Sequence, residues 1–148
     1  MKEEYQGERH HGKKHGQGKR IWNTGHIYDG EWQDGNMSGQ GKYIWPDGMT
    51  YSGTFLNGSS NGYGKQVWPS GEIYEGLWSN DKRNGVGKQT WPSGEVYEGS
   101  WQNDQRSGNG KFQWPDGVVY IGEWQNGIRN GQGQQTWTTL EVYEGTWQ

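Results

Sequence analysis

The chain has 148 residues and a formal net charge of −3, with 27% hydrophobic side chains, 28 glycines and no cysteine. That excludes disulfides and a cysteine-ligated zinc site, and such a thin supply of aliphatics excludes a conventional globular core. Eleven tryptophans and nine tyrosines supply the alternative, because each buries far more area than the aliphatics that are missing.

From the N-terminus, residues 1–20 carry six basic against three acidic side chains, which leaves this end at +3 and the remainder at −6. This falls short of the basic stripe a nucleic-acid binder needs. No apolar run is long enough for a signal peptide or a membrane span, so the expected compartment is the cytoplasm. His10, His11 and His15 fall close together here, in an expected polar loop. Without evident carboxylate support they are expected to be a solvated basic end, with no metal site and no cofactor.

Tyr5 opens a pattern that recurs every 23 residues, at Tyr28, Tyr51, Tyr74, Tyr97, Tyr120 and Tyr143. It defines units 5–27, 28–50, 51–73, 74–96, 97–119 and 120–142, with a half-repeat at 143–148, in one array over 1–148. Every glycine falls in column 3, 8, 12, 14 or 21 of the unit, every proline in column 19, and every tryptophan in column 5 or 18. Each unit begins with a strand: in Glu95-Val96-Tyr97-Glu98-Gly99-Ser100-Trp101, Tyr, Gly and Trp share one face with a period of two. A polar, glycine-punctuated loop such as QNDQRSG is expected next, then a second strand such as Gly110-Lys111-Phe112-Gln113-Trp114. Trp-Pro-Asp/Ser-Gly, as at Trp45-Pro46-Asp47-Gly48, closes the unit with a type I turn followed by a Gly free to take positive φ. Repeat six carries Thr138-Thr139-Leu140 instead and is expected to lose this turn.

Glycines inside strands cost backbone entropy. Here they face the aromatic side and leave room for rings to lie over bare backbone. The expected fold is therefore all-β: an elongated, single-layer antiparallel meander of tandem β-hairpins. Removing the mid-array Trp91 should cost ~3–5 kcal/mol, as for a large buried aromatic, and Trp22 less.

The run Tyr28-Asp29-Gly30-Glu31-Trp32 with Gly35, Gly39 and Gly41 resembles the MORN (membrane occupation and recognition nexus) repeat, and the likeness extends from Tyr5 to Trp147. The resemblance implies three classes of function. One is a non-enzymatic scaffold in a cytoskeletal or ciliary assembly. Another is a membrane-associated module for phosphoinositides or other anionic lipids. The last is a regulatory region of a larger enzyme, such as a phosphatidylinositol phosphate kinase.

No nucleophile, base and acid converge in the sequence, and GKKHGQG lacks the following helix that a phosphate loop needs. An uncovered aromatic face suggests a groove for a protein partner, expected at Tyr51, Phe55, Tyr74, Trp78, Tyr97 and Trp101. On the other face Lys42, Lys65, Lys88 and Lys111 share column 15, where cross-strand glutamates would neutralise them or an anionic membrane surface would bind them. The half-repeat leaves a strand edge at which the array continues or a homodimer pairs.

Overall fold

The computed structural model describes residues 2–148. Thirteen strands are present among them: β1 (Glu4–His10), β2 (Lys13–Ile21), β3 (Ile27–Gln33), β4 (Asn36–Ile44), β5 (Thr50–Leu56), β6 (Ser59–Val67), β7 (Ile73–Ser79), β8 (Lys82–Thr90), β9 (Val96–Gln102), β10 (Gln105–Gln113), β11 (Val119–Gln125), β12 (Ile128–Thr136) and β13 (Val142–Trp147). They form one open antiparallel sheet in which neighbours in sequence are neighbours in space. The chain divides into two compact units, one running up to Pro69 and taking in Trp78–Asp81, the other made of Ser70–Leu77 and Lys82–Gln148.

In the first unit the register lines up glycines strand by strand, Gly7 with Gly18, Gly18 with Gly30, Gly30 with Gly41, Gly41 with Gly53 and Gly53 with Gly64. The second unit repeats this from Gly87 through Gly99, Gly110, Gly122 and Gly133 to Gly145. Each row is roofed by tyrosine. A Cβ placed on Gly110 would sit 2.3 Å from the Tyr97 hydroxyl oxygen and 2.4 Å from ring carbons, so no other residue fits beneath that ring. The Tyr97 hydroxyl donates to the Ser100 carbonyl oxygen at 2.8 Å, which satisfies the one polar atom of a side chain with no exposed surface.

Where a longer loop is expected between the strands of a repeat, the structure has a two-residue turn. Asn103 and Asp104 have φ of 47° and 69°, the pair of positive values that a type I′ hairpin requires, and β10 starts at the next residue. The residues assigned to loop are absorbed by a bulge, with the register slipping between Arg106 and Gly110. In three repeats a column 4 glutamate caps the amide this bulge releases: Glu8, Glu31 and Glu123 accept from the backbone N–H of Gln17, Gln40 and Gln132. Of the cluster His10, His11 and His15, His11 lies in a tight turn at φ 50° and the other two flank it, with ring centroids of His10 and His11 4.0 Å apart.

The Trp-Pro turns form as expected, with the Gly48 N–H donating to the Trp45 carbonyl oxygen at 3.0 Å and Gly48 at φ 92°. Repeat six keeps its turn as well. Leu140 takes the glycine position at φ 66°, and its N–H donates to the Trp137 carbonyl oxygen at 2.9 Å. The i to i+3 bond holds the connection even though the favourable residue is gone.

Candidate functional site

The side chains expected to line a groove are the core instead. Tyr51, Phe55, Tyr74, Trp78, Tyr97 and Trp101 are each 5% exposed or less. Tyr in column 1 and Trp or Phe in column 5 alternate edge to face. In the first unit Tyr51 meets Phe55 at 5.0 Å and Trp78 at 5.4 Å between centroids. In the second, Trp101 stands between Tyr74 at 5.4 Å and Tyr97 at 5.2 Å. Each indole is also tied across the repeat junction, Trp78 Nε1 to the Gly64 carbonyl oxygen at 3.1 Å and Trp101 Nε1 to that of Gly87 at 3.3 Å. Burial raises the hydroxyl pKa of Tyr28 and Tyr51 well above the ordinary tyrosine value and pushes that of Tyr97 up to about 12, with Arg106 pulling the other way in the last case. These rings make a floor that a ligand can meet only at its edges.

The walls come from columns 16 and 18, where the second strand runs into the Trp-Pro turn. Tyr43 and Trp45 are half-buried with centroids 4.5 Å apart, and Tyr43 is held by its hydroxyl, 3.0 Å from His26 Nδ1. Phe112 and Trp114 repeat this geometry at 4.5 Å, with Trp91 at 5.7 Å from Phe112. Trp91, expected in the core, is therefore a half-buried wall residue, placed just past the end of β8 where the turn begins.

Guanidinium groups cover the floor in the second unit. Arg83 lies 4.5 Å from the Trp101 centroid, Arg106 4.6 Å from that of Trp124, and Arg129 4.3 Å from that of Trp147. Burial, more than its neighbours, lowers the Arg106 pKa. Between walls and floor lies a cavity of about 430 Å³ in the first unit, lined by Tyr43, Trp45, Tyr51 and Phe55 among others. A cavity of about 410 Å³ in the second is lined by Phe112, Trp114 and Trp124. Sequence reasoning missed both the wall aromatics and the arginines. The arginines were visible as a column, since column 10 reads Lys14, Met37, Ser60, Arg83, Arg106 and Arg129.

Lys42, Lys65, Lys88 and Lys111 are exposed on the other side of the pleat. Lys42 is registered with Asp29 and Ser52, and Lys111 with Glu98 and Ile121. Lys88 Nζ comes within 3.6 Å of Glu98 Oε1, a pair more than half exposed on both partners. No group of metal-ligating side chains gathers among the described residues, and no helix there is long and apolar enough to cross a membrane.

Six tandem matches to the MORN repeat family model cover residues 5–27, 28–50, 51–73, 74–96, 97–119 and 120–139. No curated protein sequence matches the chain. Among solved structures, the chain is similar to the SAS-4 (dCPAP) TCP domain of Drosophila melanogaster, in complex with a proline-rich motif of Ana2 (dSTIL), with a TM-score of 0.56 at 11% identity over 89% of this chain and 73% of that one. A CPAP G-box domain, described with a role in centriole elongation, follows at a TM-score of 0.48 and 12% identity over 88% of this chain and 80% of that one. The first likeness shows a shared fold.

Proposed function

The chain belongs to the MORN-repeat family, and from that premise we propose that it is a non-enzymatic scaffold holding an extended segment of a partner protein along the aromatic groove, in a cytoskeletal or ciliary assembly. The observation that carries this is the division of labour among the aromatics. A floor of fully packed Tyr and Trp rings fixes a second, half-exposed set, Tyr43 and Trp45 in one unit and Trp91 and Trp114 in the other. Rigid, amphipathic rings of this kind are what interface anchors are made of. Paired aromatic walls within a unit suit a proline-rich segment in the polyproline II form, whose ordering entropy is already low. The fold-mate SAS-4 TCP domain was solved with a proline-rich motif, which supports this choice of ligand. The six residues expected as the groove serve it as floor.

The test is titration of the chain with a panel of proline-rich peptides, with Trp45→Ala and Trp114→Ala alongside. The variant in the unit that holds the peptide should weaken binding by at least about tenfold, the loss of one central anchor, while keeping the parent's far-UV circular dichroism. Unchanged affinity in both would refute the groove. A second reading rests on the exposed row Lys42, Lys65, Lys88 and Lys111, which faces away from the aromatics. Salt-sensitive binding to anionic vesicles, lost in Lys88→Gln with Lys111→Gln, would make that face the functional one.

A further inference from the structure

The arginines of the second unit share one arrangement. Besides lying over the column 5 ring of the next repeat, each donates to fixed acceptors: Arg83 Nε to Asp104 Oδ1 at 3.2 Å, Arg83 Nη1 to Gln89 Oε1 at 3.1 Å, Arg106 Nη2 to the Gly127 carbonyl oxygen at 2.6 Å, and Arg129 Nη1 to Gln135 Oε1 at 2.6 Å. The two cavities can be compared position by position. Arg106, Phe112, Trp114, Trp124, Gly127 and Arg129 line one. Three repeats earlier, Met37, Tyr43, Trp45, Phe55, Gly58 and Ser60 line the other. The aromatic positions are kept and both cations are gone.

The acceptors remain where the cations are missing. Asp81 stands where Asp104 receives Arg83, and it lines the cavity. Ser60 reaches it only through its short side chain and backbone, with N–H and Oγ both donating to Asp81 Oδ1 at 2.8 Å and 3.1 Å. Gln66 also lines the cavity, at the position where Gln89 and Gln135 accept from their arginines. Asp81 is the one charged group among the lining residues, so the site is electronegative and walled by π faces. At about 430 Å³ the cavity falls in the size range of small-ligand pockets, roughly 300–1,000 Å³.

We propose that this cavity receives an arginine side chain of the partner polypeptide, whose guanidinium takes at Ser60 the place that Arg83 fills in the next repeat and donates to Asp81. Arginine fits where lysine does not, because a planar fork serves Asp81 and Gln66 at once, as Arg83 serves Asp104 and Gln89, in a cavity walled by aromatic rings. The inference rests on the groove binding a protein segment and adds which side chain anchors it.

The experiment uses the full chain and two capped peptides of sequence Gly-Pro-Arg-Pro-Gly, one with arginine and one with citrulline in its place, followed through the Trp45 indole resonance. The arginine peptide should bind at least about tenfold more tightly than the citrulline peptide, the gain of a desolvated cation over aromatic faces. Asp81→Asn should remove that preference. Ser60→Arg should abolish binding and melt at or above the parent temperature, since its own guanidinium fills the slot. Equal affinity for the two peptides, or a preference that survives Asp81→Asn, overturns the proposal whatever Ser60→Arg does. A proline-rich peptide without arginine that binds and responds to Trp114→Ala keeps the groove itself standing in that event, so the two claims fail separately.

Discussion

A tyrosine lying on a glycine is the smallest unit from which this protein is built, and it makes the hydroxyl group the point most sensitive to solvent conditions. Tyr28, Tyr51 and Tyr97 are buried without room for a charge, and burial holds each hydroxyl neutral beyond the usual tyrosine range, up to about 12 for Tyr97. A pKa raised in the folded state means that the native chain keeps its proton where the unfolded chain has lost it. Stability is therefore fully present below pH ~10 and falls as pH rises from there toward 12. Paired alkaline titrations by circular dichroism and by tyrosinate absorbance should show ionisation of the buried rings coinciding with unfolding. A smooth ionisation near pH ~10 in a chain still folded would contradict the packing. The Tyr–Gly partnership was legible in the sequence because its columns recur without exception. The burial of Trp101 inside β9 against the half-exposure of Trp91 past the end of β8 was not, since a tryptophan at a fixed column does not say how much of its ring the neighbouring strands cover.

At the scale of the element, the hairpin turns show which rules the repeat enforces and which it tolerates. Five of the six Trp turns end in glycine at column 21, and the sixth uses Leu140, 84% exposed and held at φ 66°. An L residue in the left-handed region costs about 1–2 kcal/mol, partly offset by its smaller entropy loss on folding. Leu140→Gly should consequently raise stability by about 1 kcal/mol, measured as a shift of the denaturant midpoint at constant slope. No gain would mean that the leucine side chain contributes packing that its exposure does not suggest. The turn residues of repeat six are absent from the sequence, whereas the bond that makes the turn, from Leu140 N–H to the Trp137 carbonyl oxygen, persists. The connection within the repeat is shorter than its polar residues imply. The polar residues after Asn103 pass for loop when read one at a time, yet a bulge lets Arg106 and Gly108 stay within β10.

Within each compact unit stability is shared by neighbouring repeats, as expected of an array in which each repeat packs on the next. Trp101 bonds to Gly87 and stacks on both Tyr74 and Tyr97, so Trp101→Ala removes two contacts that join neighbouring repeats and one within its own. It should cost ~3–5 kcal/mol, as for a buried aromatic. Trp91→Ala, at the half-exposed wall, should cost clearly less while weakening ligand binding. Thermal melts of the two variants decide the point, and equal losses would return Trp91 to the core.

The glycine rows also govern how such a chain can change by descent. Adding or deleting one residue between a tyrosine and the glycines of its own repeat would turn that ring away from the backbone it covers, whereas duplicating or losing an entire 23-residue repeat leaves every tyrosine with its own glycines. Lineages carrying this architecture should therefore differ in the number of units and hardly at all in their length, with recombination between near-identical copies doing what point insertion cannot.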